Sequence, residues 1–355
     1  IICIFLILNS IISSYSYFSL RSSLFYFRFI LFSLAIWYLL DNEKKFLKNF
    51  LYGLILAYFI AIGSGIYQYI YGETIFGIET INTRLLLLSS DNAALGHFLS
   101  RLFPLLVGLL ILNLNKSMRY YTLIFVLFIS TDVLVYLSGE RTSLALMFLS
   151  STFILILMSK LKLFRLLTLI TSFIIIIFVS FYIPEVKERN IDRTMEQIGI
   201  TNDSEKIYIF SRAHENYIFT AFEMFKKNPI NGLGVNNYRN FCKSYSTVDP
   251  NPDSSNDACN THPHNIYIQL LAETGLIGFF FVMTINFFLI KLVYIHIYQI
   301  VFKGEHYLND FQICLIACFV CSLWPVLPTL NLFNNWMSII FYLPLGFFLK
   351  SWYEK

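Results

Sequence analysis

Charged residues are scarce in this chain. They make up 14% of its 355 residues, whereas soluble globular proteins have about 25%. This shortage excludes a cytosolic enzyme of ordinary composition, and the 57% of hydrophobic residues excludes a disordered chain. No internal repeat is present, so a fibrous repeat protein is excluded as well. The net charge of +4 is spread over many short segments and does not indicate nucleic-acid binding.

What the sequence has in abundance is apolar runs of about 20 residues, the length that crosses a bilayer core as a helix. Their polarity does not alternate, as it would in the strands of a membrane barrel. We therefore predict an all-α fold, a polytopic transmembrane bundle of about ten helices. The runs lie near residues 1–18, 23–40, 49–71, 95–113, 120–137, 143–158, 164–183, 266–298, 310–328 and 333–349.

The run at 266–298 is longer than one perpendicular span needs, so we expect it to tilt or to project beyond the bilayer. Gly275 and Gly278 near its start would allow a bend.

Basic residues in the short loops predict the orientation of the bundle. Alternate short loops carry only Arg21, Arg84 and Arg141. The other set carries Lys44, Lys45, Lys48, Lys116, Arg119, Lys160, Lys162, Arg165, Lys303, Lys350 and Lys355. The richer set is cytoplasmic by the positive-inside rule, which exempts long loops.

This orientation places one long segment outside the membrane and divides the chain into three regions. Residues 1–183 are predicted as N-terminal transmembrane helices. Residues 184–265 are predicted as a large periplasmic loop that contains an amphipathic helix, and residues 266–355 as C-terminal transmembrane helices.

The periplasmic loop is where soluble-type sequence concentrates. Within it, 211–227 has phenylalanines at helical spacing, Ser211 as a possible N-cap and Pro229 beyond its end. This pattern predicts an amphipathic helix that rests on the membrane surface or packs against the bundle. The stretch 244–260 is dense in Ser, Asn and Asp, which predicts irregular loop.

The six cysteines divide by region. Cys242 and Cys259 are the only two in the periplasmic loop, and an oxidising compartment favours a disulfide between them. The other four lie in apolar runs, where we expect them to pack: Cys3, Cys314, Cys318 and Cys321.

Three side chains near the predicted outer face are candidates for chemistry. Arg141 follows a predicted membrane helix, Arg212 begins the amphipathic helix, and His264 lies where the loop re-enters the membrane. Guanidinium groups hold phosphate through paired hydrogen bonds, and imidazole suits proton transfer near neutral pH. Together they would grip a phosphorylated lipid head group. The alternatives are an interfacial Arg141, an Arg212 paired with Glu215, and a solvated loop histidine.

At these residues the chain resembles the O-antigen ligase and polymerase family. The strings KKNPINGLGVNNYRNF and THPHNIYIQLLAETGLIGFFF are similar to its P-x-x-G-x-G turn, the His-Asn pair that ends its long loop, and its L-x-E-x-G-x-x-G helix. The matching positions are Pro229, Gly232, Gly234, His264, Asn265, Glu273, Gly275 and Gly278.

Two upstream strings extend the resemblance to residues 84–285. SGERTSLALM resembles the S-x-x-R-T motif of the family, and SRAHENYIFTAFEMFKKNP resembles its R-x-x-x-W-x-x-A helix. This sequence has Tyr217 or Ile218 near the usual tryptophan.

The resemblance implies a GT-C-like enzyme, multi-pass in the bacterial inner membrane, with its active site facing the periplasm. It would move a glycan from undecaprenyl pyrophosphate to a sugar hydroxyl of the lipid A core, inverting the anomeric carbon without metal or cofactor. His264 would be the catalytic base, and Arg141 and Arg212 would bind the pyrophosphate. Arg84 would help bind the donor; alternatively it is a structural surface arginine.

Two other functions compete with a ligase. An O-antigen polymerase would use another lipid-linked repeat unit as the acceptor, and the sequence does not separate it from a ligase. A non-enzymatic transporter would have ionisable residues near the bilayer midplane, where Asp132 is the main example here. Asp132 is either functional or half of a buried pair with Arg101.

The sequence offers two alternatives to His264 as the catalytic base. His214 is the rival base, although it lies about 200° around the helix from Arg212 and should face away from it. Cys259, His262 and His264 could form a metal site, but their spacing fits no familiar zinc pattern.

Overall fold

The computed structural model describes residues 1–80, 84–88, 94–113, 117–200, 207–208, 210–245 and 259–353. In these residues the regular elements are helices, accompanied by an isolated bridge between Glu73 and Glu79. The predicted all-α class is confirmed.

Helices α1 to α8 account for most of the first half of the chain. They span Ile2–Ile12, Ser16–Ser23, Phe27–Asn42, Phe46–Tyr71, Leu95–Leu112, Met118–Leu137, Arg141–Leu157 and Lys162–Tyr182. Short pieces follow: α9 (Pro184–Lys187), a π-helical turn (Glu188–Asp192) and α10 (Arg193–Gln197). The remaining helices are α11 (Arg212–Lys227), α12 (Tyr238–Tyr245), α13 (Ile266–Lys303), α14 (Asp310–Leu323) and α15 (Asn335–Tyr353).

Six stretches are long and apolar enough to cross a membrane: α4, α5, α6, α8, α13, and α2 with α3 taken together. Helices α1, α7 and α14 are apolar but shorter. The protein is a multi-pass membrane protein, and each predicted run is at least partly helical.

The first predicted run, 1–18, is not one helix. α1 ends at Ile12 and α2 begins at Ser16. Serine hydroxyls explain the break, because Ser13 donates a hydrogen bond to the carbonyl of Leu233 at 2.6 Å and Ser19 donates to that of Val235 at 2.9 Å. These bonds tie the broken helix to a distant turn.

The chain divides into two compact units. Unit 1 comprises Ile1–Ala35, Met195–Ile295 and Ser322–Leu343. Unit 2 comprises Ile36–Thr194, His296–Cys321 and Pro344–Lys355.

Unit 2 contains an ion pair in its apolar interior. Arg165 donates from both terminal nitrogens to the two carboxylate oxygens of Asp132, each at 2.8 Å. Ser151 and Ser172 add hydrogen bonds, and the guanidinium carbon lies 4.5 Å from the ring centre of Phe103. Polar partners therefore surround both charges.

This pair corrects two expectations. The partner of Asp132 is Arg165, whereas Arg101 donates to the carbonyl of Cys321 at 3.0 Å. Arg165 was also counted among the cytoplasmic loop residues, but it lies within α8 and its side chain is 1% exposed. The spacing of charges along the chain did not show which helix faces would meet.

In unit 1 the turn 229–234 docks against a kink in α13. The kink is at Gly275, with φ +62° and ψ −161°, so the predicted bend is confirmed. Leu276 N–H donates to the carbonyl of Pro229 at 2.8 Å, and Gly234 N–H donates to that of Glu273 at 2.9 Å. A Cβ atom on Gly275 would lie 2.2 Å from the carbonyl oxygen of Ile230.

The motif glutamate is part of the same junction. Glu273 is buried and accepts hydrogen bonds from the backbone N–H groups of Tyr238 at 2.9 Å and Asn236 at 3.0 Å. Gln269, one helical turn earlier, donates to it at 3.0 Å. The P-x-x-G-x-G and L-x-E-x-G motifs are therefore two halves of one structural joint.

Helix α11 is amphipathic, as predicted. Ser211 caps it, accepting from the backbone N–H of His214 at 3.3 Å. Phe219 and Phe222 are exposed, while the opposite face joins an apolar cluster with α12 and α13: Ala221, Met224, Leu233, Tyr238, Cys242 and Ala272.

The predicted disulfide is confirmed. Cys242 and Cys259 are bonded, with their Cα atoms 5.3 Å apart. The disulfide joins α12 to the segment that leads into α13. Most of the predicted loop 244–260 falls at 246–258, outside the described residues.

Candidate functional site

His264 belongs to a cluster of three histidine rings in unit 1. The His264 backbone has φ +54°, a left-handed conformation that few non-glycine residues adopt. Its carbonyl accepts from Thr329 N–H at 2.7 Å. The His262 ring centre lies 4.1 Å from that of His264, and the ring of His214 lies 5.2 Å away on the side of α11.

His214 is therefore closer to the candidate base than we expected from its position on α11. Its Nδ1 atom lies 2.7 Å from the hydroxyl of Ser211. Tyr217, near the tryptophan position of the family pattern, packs with its ring centre 5.7 Å from that of His264. One face of α11 thus forms a wall of the histidine cluster.

Asn260 determines which nitrogen of His264 carries the lone pair. Its side-chain Oδ1 accepts from Thr261 N–H at 2.6 Å, which fixes the orientation of the amide. Its Nδ2 lies 3.1 Å from His264 Nε2 and so donates to that atom. In this contact Nε2 of His264 is the acceptor, which corresponds to the neutral ring protonated on Nδ1, the form that a base requires.

His262 is a buried, neutral neighbour. Burial, then like-charge repulsion from Arg239 and His214, lowers its pKa to about 4. Its Nε2 donates to the carbonyl of Thr329 at 3.1 Å, the residue whose N–H holds the His264 backbone. His262 therefore helps position His264.

Arg212 is the first residue of α11, and its side chain is exposed. It lies three residues before Glu215, the partner that the alternative interpretation gave it. Within the described residues, no ion pair within 4.0 Å joins Arg212 to Glu215.

The second group of candidate residues gathers around the loop 138–141 in unit 2. Leu85 N–H donates to the carbonyl of Ser138 at 3.3 Å, which places the exposed Arg84 next to this loop. Gln68 fixes the segment further, through bonds of 2.7 and 2.9 Å to the backbone of Leu86. Arg84 and Arg141 are thereby brought to one loop.

Arg141 connects this loop to the chain after α8. Its guanidinium donates to Thr194 Oγ1 at 2.9 Å. Thr194 donates to the carbonyl of Asn190 at 2.7 Å, and Asn190 donates to that of Tyr136 at 3.2 Å.

Glu140, beside Arg141, is buried. Its Oε2 accepts from the His97 backbone at 3.0 Å and from Ser143 Oγ at 2.9 Å. Burial raises its pKa to about 7, although Ser143, Arg84, the His97 bond and Arg101 oppose the shift.

Sequence reasoning missed Arg189. Its side chain is buried, and its Nη2 lies 3.5 Å from the carbonyl of Gly139 in the same loop. No motif includes Arg189. The sequence shows only that it is a basic residue shortly after a predicted membrane helix.

Arg84 and Arg141 lie in unit 2, whereas Arg212 and His264 lie in unit 1. That the two pairs serve one site stays a prediction. In the described ranges no three His, Cys, Asp or Glu side chains are placed to hold a metal ion. Cys259, a member of the rival metal site, is in the disulfide.

Residues 123–283 match the family model of the O-antigen ligases. This segment is similar to the O-antigen ligase domain. It includes Arg141, Arg212, His264 and the turn–helix joint, while Arg84 lies before it. No curated protein matches the chain. The resemblance to the ligase and polymerase family is confirmed. Members of that family are glycosyltransferase-like enzymes that act on lipid-linked glycans.

Proposed function

We propose that the protein is an O-antigen ligase-type glycosyltransferase of the bacterial inner membrane. It moves a glycan from undecaprenyl pyrophosphate to a sugar hydroxyl of the lipid A core on the periplasmic face. The supporting observation is His264, which is the histidine of the family's His-Asn pair and presents an unprotonated Nε2.

In the proposed reaction, the acceptor hydroxyl displaces the Asn260 amide from His264 Nε2. The hydroxyl oxygen attacks the anomeric carbon while its proton passes to Nε2. The bond from that carbon to the pyrophosphate oxygen breaks, and its electron pair leaves with the pyrophosphate. Direct attack inverts the anomeric configuration.

The arginines bind the leaving group in this proposal. Arg84, Arg141 and Arg212 donate hydrogen bonds to pyrophosphate oxygens and offset the charge that develops as the bond breaks. Arginine cations fixed beside the leaving pyrophosphate stabilise its negative charge, which a metal ion would otherwise do. The proposed reaction is therefore metal-independent.

The proposal predicts that His264→Ala nearly abolishes transfer, by about 10²–10⁴-fold, because a general base typically contributes that much. The measurement is in-vitro transfer from undecaprenyl pyrophosphate-linked glycan by the purified protein. His306→Ala, an exposed histidine in the loop between α13 and α14, is the matched control and should transfer at the parental rate.

Parental activity in His264→Ala would remove the base assignment. Loss of wild-type activity in EDTA would instead support a metal-dependent reaction.

The alternative function is an O-antigen polymerase, because the matched family model covers both kinds of enzyme. The lipopolysaccharide profile of a deletion strain separates them. Loss of a ligase leaves bare core and accumulated lipid-linked polymer, whereas loss of a polymerase leaves core that carries one repeat unit.

A further inference from the structure

Unit 2 contains a cavity of about 330 Å³ beside the loop 138–141. It lies between the ends of α4 and α6 and the chain that follows α8. Its lining includes Gln68, Tyr69, Leu137, Glu185, Arg189 and Asn190. Three of the surrounding helices, α4, α6 and α8, are long and apolar enough to span a membrane.

Arg189 is the cation of this cavity, and its hydrogen-bonding capacity is largely unused. The residue is 7% exposed. Its Nη2 has a long bond of 3.5 Å to the Gly139 carbonyl, and its Nε has no partner among the described residues. A buried charge normally has close partners, because desolvation without them is costly.

The charges with the largest effect on Arg189 are of the same sign as its own. Burial, followed by repulsion from Arg84, Arg141 and Arg193, lowers its pKa to about 10, and Glu140 opposes this shift. Among nearby carboxylates, Glu185 lines the cavity and Glu188 is paired with Arg193 at 3.1 Å. The guanidinium is still charged at neutral pH, and the charges that affect its pKa most are those of Arg84 and Arg141.

We propose that Arg189 is a binding residue for the pyrophosphate group of the lipid-linked donor, which enters the cavity beside the loop 138–141. An anion there would accept from the unpartnered Nε and the adjacent terminal nitrogen in the paired geometry that guanidinium and phosphate favour. It would also neutralise the repulsion among Arg84, Arg141 and Arg189. This inference rests on the proposed function for the identity of the ligand.

The apolar helices around the cavity favour a ligand that carries a lipid. A water-soluble anion would need a basic pocket but no apolar approach, whereas the helices around this cavity offer a path from the membrane. The shared chemistry is a pyrophosphate, so inorganic pyrophosphate and undecaprenyl pyrophosphate are both tested.

The experiment measures binding of each probe to the full-length protein in lipid nanodiscs. Arg189→Gln should weaken binding of undecaprenyl pyrophosphate by at least about tenfold, since one bidentate contact to a charged group is lost. Arg193→Gln is the matched control, because this arginine lies on the same segment but is exposed and paired with Glu188. It should change the affinity less than about twofold.

The two probes distinguish the sources of the anion. Tighter binding of the lipid-linked form, with the same dependence on Arg189, supports the proposal. Equal affinity for inorganic pyrophosphate would mean that the site recognises a soluble ion and would overturn the lipid assignment. Equal losses in the Arg189 and Arg193 variants would show a general charge effect and overturn the binding role.

A melting measurement separates binding from folding. Removing an unpartnered buried charge should leave the melting temperature of the ligand-free protein unchanged or raise it. If Arg189→Gln and Arg189→Lys both fail to fold, the residue is structural and the inference is wrong. If pyrophosphate binding depends on Arg189 but the wild type transfers no glycan, the proposed function fails while the binding site stands.

Discussion

The orientation of His264 depends on residues that have no motif of their own. Asn260 holds its Nε2, while His262 and Thr329 fix its ring and backbone. The sequence identified His264 because of its family pattern and its position before an apolar helix. It could not identify Thr329, because this residue is remote in sequence and meets His262 only in the folded chain.

Because burial lowers the pKa of His262 to about 4, this residue makes stability dependent on pH. Between pH 6.5 and 4 the unfolded chain binds a proton at His262 that the folded protein does not. Stability is therefore lost as the pH falls from 6.5 toward 4. Between pH 7.5 and pH 5 we expect a loss of about 2 kcal/mol from this residue.

Thermal or denaturant unfolding in detergent at the two pH values checks this expectation. His262→Gln is the comparison, because glutamine can still donate to the Thr329 carbonyl but does not titrate. The variant should lose about 2 kcal/mol less than the wild type over the same pH interval. An identical pH dependence would mean that His262 binds its proton equally in both states.

The buried pair of Asp132 and Arg165 gives a second prediction at this scale. Asp132→Ala should destabilise the protein by about 3–5 kcal/mol, because it leaves the guanidinium buried without its carboxylate. Asp132→Leu combined with Arg165→Met should cost much less, since neither charge remains. Unfolding measurements on the three proteins test this, and equal losses in the single and double variants would contradict it.

At the level of elements, the joint between the turn 229–234 and α13 explains why glycines stand in these motifs. Gly232 and Gly275 both have positive φ, and a Cβ on either would lie within 2.4 Å of backbone atoms of the other segment. Glu273, the glutamate of the motif, lies in α13 and accepts hydrogen bonds from the backbone N–H groups of Asn236 and Tyr238, just after the turn. The family pattern predicted that these residues belong together, but not that their role is to seat a turn on a kinked helix.

Gly275→Ala should destabilise the protein by at least about 3 kcal/mol. Its φ of +62° with ψ of −161° is essentially restricted to glycine, and the new methyl group would collide with the Ile230 carbonyl. Gly53→Ala in α4 is the control, because a Cβ there meets nothing within 4 Å. If both variants unfold at the same denaturant concentration, the joint does not constrain α13 as described.

At the level of the whole molecule, hydropathy predicted the positions of most helices because burial in a membrane depends mainly on the length and polarity of a run. It could not predict the break between α1 and α2, which depends on serine bonds to Leu233 and Val235. Arg165 shows that the sequence also could not predict where every charged residue lies. Arg165 lies near the end of a predicted helix, so the sequence suggested a basic loop residue. In the structure it lies within α8 and is paired with Asp132.

Orientation in the membrane survives that correction, because the remaining lysines still favour the same set of loops. The prediction that 184–265 faces the periplasm can be tested with cysteines at two exposed positions, Lys227→Cys at the end of α11 and Glu305→Cys after α13. A membrane-impermeant maleimide should label Lys227→Cys in cells whose outer membrane alone is permeabilised. Glu305→Cys should react only after the inner membrane is opened. The unsubstituted protein is the background control and measures labelling of Cys3, which is free and partly exposed, whereas Cys314, Cys318 and Cys321 are buried and Cys242 is bonded to Cys259. The reverse labelling pattern would place the histidine cluster in the cytoplasm and would exclude the proposed transfer on the outer face.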